Sequence, residues 1–149
     1  MLVGAALVVA LAGCGGNSEK QVTKAQYEQK LEQIGNDLYK AANALGASSN
    51  TSIFIDHLDK LEQVLKKSAG ELHGVKPPLD ARPANERLVE AYRKLAGEVE
   101  KVKDARRESY ARALAALKAV QQSTAAQETR EAAKELRRLS YKVPVSTTL

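Results

Sequence analysis

Leu88-Val89-Glu90-Ala91-Tyr92-Arg93-Lys94-Leu95-Ala96-Gly97-Glu98-Val99-Glu100-Lys101-Val102 is the stretch on which the fold turns. Its large apolar residues, Leu88, Tyr92, Leu95, Val99 and Val102, recur at alternating steps of four and three. That spacing draws one stripe down an α-helix and leaves Glu, Lys and Arg on the opposite face. A helix with one apolar stripe is stable only against other helices, so the stretch implies a bundle. Asp80 is placed to cap it, and Pro83 in its first turn costs no hydrogen bond. Downstream, Lys103-Asp104-Ala105-Arg106-Arg107-Glu108-Ser109 has no large apolar side chain, and a stripe resumes with Tyr110, Leu114, Leu117 and Val120. Neither Pro nor Gly lies between Val102 and Tyr110. The spacing therefore favours one long helix over about 81–122, roughly 63 Å at 1.5 Å per residue. A break near 103–109, giving two helices and a compact bundle, is the alternative.

The neighbouring segments repeat the pattern. Thr23-Lys24-Ala25-Gln26 has the form of a capping box, and behind it Tyr27, Leu31, Ile34, Leu38, Ala41 and Leu45 form a stripe. Gly46 stands where a left-handed C-cap glycine belongs, so a helix is expected over 24–45. After the capping-rich loop Ala47-Ser48-Ser49-Asn50-Thr51, Phe54, Leu58, Leu61, Leu65, Leu72 and Val75 predict a second helix over 52–73, with Ser68 at the missing step. Pro77-Pro78 closes it, and the short connection implies antiparallel packing on the first helix. Thr124-Ala125-Ala126-Gln127 again has capping-box form. Ala132, Leu136, Leu139 and Val143 make a thinner stripe over 125–141, ended by Pro144. The fold class expected is all-α, an antiparallel bundle of three to four helices over residues 23–143, followed by a tail over 144–149. Composition agrees: the chain has no Trp and one Phe, and it is rich in strong helix formers.

The first sixteen residues are of another kind. Met1 to Ala12 is an uncharged apolar run, shorter than the roughly 20 residues a spanning helix needs but of signal-peptide length. It ends in Leu11-Ala12-Gly13-Cys14, which resembles the lipobox of bacterial lipoproteins. The resemblance implies removal of residues 1–13, a diacylglyceryl group on the Cys14 thiol and acylation of the new amine. One departure stands: no Lys or Arg precedes the run, although signals normally open with positive charge, which leaves an upstream start open. Residues 14–22 then read as the lipid attachment and a polar, flexible tether, on the order of 16 Å for eight coil residues. A weaker likeness lies in Thr23-Lys24-Ala25-Gln26-Tyr27, Leu72-His73-Gly74-Val75-Lys76-Pro77-Pro78 and Leu88-Val89-Glu90-Ala91-Tyr92, which together resemble small helical lipoproteins of actinobacteria. That likeness implies a fold and a compartment and no activity. The expected location is the outer face of a bacterial cytoplasmic membrane, or a periplasm.

Chemistry-bearing patterns are sparse. Cys14 is the only cysteine, and lipidation would consume it, leaving no disulfide, thiol nucleophile or cysteine metal site. His57 and His73 lie sixteen positions apart on one helix, about 24 Å along its axis, and cannot share a metal. Asp56 and Asp59 flank His57 at spacings that point in different directions. There is no Gly-x-Ser-x-Gly and no phosphate-binding glycine loop. Carboxylate pairs such as Glu98 with Glu100, or Glu128 with Glu131, read as solvated helix faces. An enzyme is not expected, and no cofactor or metal is implied.

Charge is uneven. The net +5 is carried by the second half of the chain, with Lys101, Lys103, Arg106, Arg107, Arg112, Arg137 and Arg138 the densest contributors. They could form a patch for anionic lipid headgroups or an acidic envelope polymer. Pairing with nearby acids, as in Glu90 with Lys94, is the simpler reading. Nucleic acid is disfavoured for an exported chain. Tyr27, Tyr39, Tyr92, Tyr110 and Tyr141 fit core or core-edge packing. The function expected is a membrane-anchored, non-enzymatic interaction module of the cell envelope, whose partner is an envelope protein or an anionic envelope component. A carrier or sensor for a small ligand held between helices is the alternative.

Overall fold

The computed structural model describes residues 21–48 and 50–144. The signal stretch 1–13, Cys14 and the residues beyond Pro144 lie outside them. The described residues form α1 (Lys24–Gly46), α2 (Thr51–His73), a 3-10 turn (Leu79–Ala81), α3 (Arg82–Glu108), α4 (Tyr110–Gln121) and α5 (Thr124–Arg138), with no strand among them.

Ion pairs between helices give the topology. Lys30–Glu71 (3.4 Å) and Lys67–Asp37 (3.2 Å) run α2 antiparallel to α1. Lys103–Asp59 at one end and Asn85 on the Leu72 carbonyl at the other run α3 antiparallel to α2. Along the remaining side of α3 come Arg87–Glu135 at 2.9 Å and Lys94–Glu128 at 3.2 Å, so α5 descends antiparallel to α3. The result is an up-down-up-down four-helix bundle whose fourth column is α4 followed by α5. These two, of 12 and 15 residues, together match the 27 residues of α3.

All five stripe residues of the Leu88–Val102 stretch are fully buried, as are Tyr27, Leu31, Leu38, Leu58, Leu65 and Leu72. The α1 capping box is present in both halves: Thr23 Oγ1 accepts from Gln26 N at 3.2 Å, and Gln26 Oε1 accepts from Thr23 N at 2.9 Å. Asn50 caps α2 through Ile53 N at 3.0 Å.

Five local expectations are corrected. The long helix over 81–122 breaks at Ser109, whose backbone is extended (φ −166°, ψ 158°) and whose Oγ caps α4 by accepting from Arg112 N at 3.1 Å. A continuous helix would carry Ala113 and Val120 beyond the end of α2, with nothing to bury them. Folding back puts both in the core. Gly46 is not a left-handed cap: it ends α1 and Ala47 follows with φ −90°. Asp80 does not cap α3 but sits in the 3-10 turn and accepts from the Tyr141 hydroxyl at 2.7 Å. Ser123, rather than Thr124, caps α5 through Ala126 N at 3.2 Å.

The helix expected to reach residue 141 stops at Arg138. Ser140 N donates to Arg137 O at 2.9 Å, Tyr141 N donates to Leu136 O at 3.0 Å, and Ser140 takes φ 63°. This is a Schellman motif with Ser where Gly is usual. It turns Tyr141 back onto the bundle, edge-on to Tyr27 at 5.8 Å between ring centres.

Candidate functional site

Two surfaces of the bundle combine exposure with unusual chemistry, and they lie at different heights. The first is the end where the chain enters the fold. Val22 N donates to the Lys76 carbonyl at 2.9 Å, and Gln21 Nε2 donates to the Pro77 carbonyl at 3.3 Å. Val22 is partly buried against the core. Of the residues expected to be tether, the two that are described are held by the loop between α2 and the 3-10 turn. Pro77-Pro78 cannot continue α2, and the turn that follows leaves Leu79 67 % exposed. Beside it His73, Lys76, Arg82 and Arg93 face Glu86 and Glu90 around a concavity of about 400 Å³. Asp80 and Glu28 are engaged within the fold, by the Tyr141 hydroxyl and by Lys142 N (2.9 Å) respectively. Burial first, and then the bond to Asp80, push the Tyr141 phenol up to about 12.

The second surface is an apolar groove of about 260 Å³ between α1 and α4. Leu38, Leu45, Leu61, Val99 and Leu117 line it, and Tyr39, 57 % exposed, stands at its rim. Val120 and Gln121 line its end next to Gln122-Ser123, the link between α4 and α5. Leu117, read from the sequence as core, is only half-buried here, and Leu114 and Tyr110 are exposed. Tyr110 still packs edge-on against Phe54, at 5.3 Å between ring centres.

The basic residues singled out in the sequence do not form one patch. Lys103 reaches Asp59 Oδ1 at 2.7 Å and Glu62 Oε2 at 2.6 Å. Arg107 pairs with Asp104, and Arg112 pairs with Glu108. Arg137 donates to the Val143 and Pro144 carbonyls and so closes the turn after α5. Positions 101–112 sit at the far end of α3, whereas Arg137 and Arg138 end α5 beside the chain's point of departure. The hydrogen bonds from Lys103 and then from Lys66 hold Glu62 below the usual carboxylate range, against the opposing effect of burial. Lys103 is held above the usual ammonium range by its bonds to Asp59 and Glu62.

His57 accepts or donates at Nδ1 with Ser48 Oγ across 2.9 Å, near the α1–α2 loop. His73 is exposed at the opposite end of α2, so the two histidines stay apart as their spacing requires. Among the described residues no group of three His, Cys, Asp or Glu is placed to hold a metal ion. No described helix is long and apolar enough to cross a membrane. The groove and the chain-entry end escaped sequence reading because each is assembled from several elements. The usable signal was Leu79, an apolar residue off every stripe, directly after Pro77-Pro78.

Comparison of the chain with protein-family models, with curated proteins and with solved structures finds no match.

Proposed function

We propose that the chain is an exported, lipid-anchored, non-enzymatic helical interaction module of the bacterial cell envelope. It would be carried on the outer face of the cytoplasmic membrane, or on the periplasmic side of an outer membrane. The observation that carries this reading is Leu11-Ala12-Gly13-Cys14, with the chain's only cysteine at the position the lipobox requires. Its companion is the attachment of Gln21 and Val22 to the 76–77 loop, which leaves six residues between Cys14 and the folded domain. A bundle held that close to a membrane presents its helical flanks to an envelope protein or an anionic envelope component, and nucleic acid is not among its partners. The test is metabolic labelling with a palmitate analogue followed by membrane fractionation. The wild-type chain should take up label and sediment with membranes, and Cys14→Ser should do neither. A Cys14→Ser chain that stays in the membrane fraction would overturn the anchor.

The groove beside Tyr39 favours a second reading, a carrier or sensor for a small apolar ligand. A cavity of about 260 Å³ lies just below the usual range for small-molecule sites. Saturable binding of an apolar fluorescent probe, lost in Leu117→Asp, is the result this reading requires. Equal probe binding by the two chains would remove it.

A further inference from the structure

We infer that the end of the bundle made by the 76–81 loop and the last turn of α5 is a docking surface for an anionic lipid bilayer. The apolar contact is Leu79, and Lys76 and Arg82 answer the headgroups. The inference rests on the lipid anchor at Cys14, and its geometry comes from where the chain leaves the fold.

Gln21 and Val22 are tied to Pro77 and Lys76, so the anchor acts on the fold at this loop. Seven Cα steps join Cys14 to Gln21. Fully extended they reach about 25 Å, and as a coil they average about 15 Å. The opposite end of the bundle, at the start of α2, is about 33 Å further along the helix axis. The tether therefore keeps the loop end near the bilayer while the far end stands away from it.

That end is built differently from the flanks. Leu79 stands in the turn that follows Pro77-Pro78, and among the described residues it is the most exposed of the large apolar side chains. A lone exposed leucine on a flank needs no explanation. One at the chain's point of departure, two residues from the Pro77 carbonyl that holds Gln21, is placed for the interfacial region of a membrane. Lys76, Arg82, Arg138 and Lys142 are exposed at the same end. Asp80 in the turn accepts a hydrogen bond from the Tyr141 hydroxyl, and Glu28 accepts one from Lys142 N. These neutral donors leave both carboxylates charged, but the four basic side chains at this end outnumber them, and basic side chains near an anionic leaflet are attracted within a Debye length. Glu86 and Glu90 oppose this on the flank of α3, so the contact belongs to the loop tip rather than to the concavity behind it.

The test uses the full lipidated chain. In one preparation Leu79→Cys, in another Ile55→Cys, carries an environment-sensitive fluorophore; Cys14 is blocked by its thioether. Each is reconstituted in vesicles of phosphatidylcholine and phosphatidylglycerol that contain brominated lipid as quencher. Quenching at 79 is expected to exceed quenching at 55 several-fold. It should fall when phosphatidylglycerol is omitted or when Lys76→Glu and Arg82→Glu are combined. Equal quenching at the two positions, in a chain whose mass shows lipid on Cys14, overturns the docking surface and leaves the anchor standing. A chain extracted from membranes with no lipid on Cys14 overturns both.

Discussion

Tyr27 on α1 donates its hydroxyl proton to Asn85 Oδ1 on α3 across 2.9 Å, inside the core. Asn85 Nδ2 passes the connection on, donating at 3.1 Å to the Leu72 carbonyl near the end of α2. One buried side chain thus ties three helices together and satisfies a backbone carbonyl at a helix end. Burial, and then the nearby Tyr141, raise the Tyr27 phenol well above its ordinary value, so it stays a neutral donor across the usable pH range.

Tyr27→Phe should keep the ring packing and lose only the donor. Asn85 Oδ1 would then be buried without a partner, at a cost of about 1–3 kcal/mol. Urea unfolding should show a lower midpoint with an unchanged slope. Unfolding that matches the wild type would mean that the hydrogen bond contributes nothing net.

The acid limb of stability should be set in part by Glu62. Its folded pKa lies below its unfolded value because Lys103 and Lys66 donate to it. The stability it contributes is therefore present above the unfolded pKa and is lost as pH falls through the folded one. Lys103 is shifted upward, so its contribution is full at neutral pH and is lost only in strong alkali. Glu62→Gln should cost about 1–2 kcal/mol near neutrality, and the difference should close as the pH falls through the lowered folded pKa of Glu62. An offset that stays constant as the pH is lowered until the domain unfolds would rule out this account.

Leu95 and Leu117 share one helical spacing in the sequence, yet they should respond differently to a charge. Leu95 is fully buried, whereas Leu117 lines an open groove. Leu95→Asp buries a carboxylate without a partner and should cost about 4 kcal/mol or more, enough to unfold a marginal domain. Leu117→Asp keeps access to water and should cost about 1–2 kcal/mol. Thermal melting separates the two, and similar losses would place Leu117 in the core after all.

That contrast marks how far the sequence could be read. In α1, α2 and α3 each stripe faces the bundle centre along its whole length, and period alone finds the buried residues. In α4 the stripe is shared between core (Ala113, Val120), groove (Leu117) and solvent (Tyr110, Leu114). Periodicity reports that a residue is apolar at the right angle, not what stands opposite it. The break at Ser109 was hidden for a related reason. Every residue from Lys103 to Glu108 is compatible with helix, and Arg112 stands where a capping box would need Glu or Gln. Only the gap of one heptad in the apolar pattern marked the turn. The docking end was the least legible, since it joins residues near 22, 79 and 138 that share no local pattern. The resemblance to a lipobox is the converse case, read from sequence alone on residues outside those the structure describes.

Ser140 offers a prediction of the opposite sign. It holds φ 63° at the C′ position of α5, a left-handed conformation in which a side chain is disfavoured by roughly 1–2 kcal/mol. The turn cannot relax, because Ser140 N and Tyr141 N are both bonded to the last turn of α5 and Tyr141 is seated on Tyr27 and Asp80. Glycine at this position removes the strain, though it gives the unfolded chain more freedom, so the net gain in Ser140→Gly should be about 0.5–1 kcal/mol. For a domain of this size that is a rise of roughly 2–4 °C in melting temperature. Ser140→Val, with a branched β-carbon in the same conformation, should lower the melting temperature instead. A Gly variant that melts at or below the wild-type temperature would show that the turn is not held left-handed in solution. Tyr141 would then lack the bond to Asp80 that helps to shape the bundle end where the chain enters the fold.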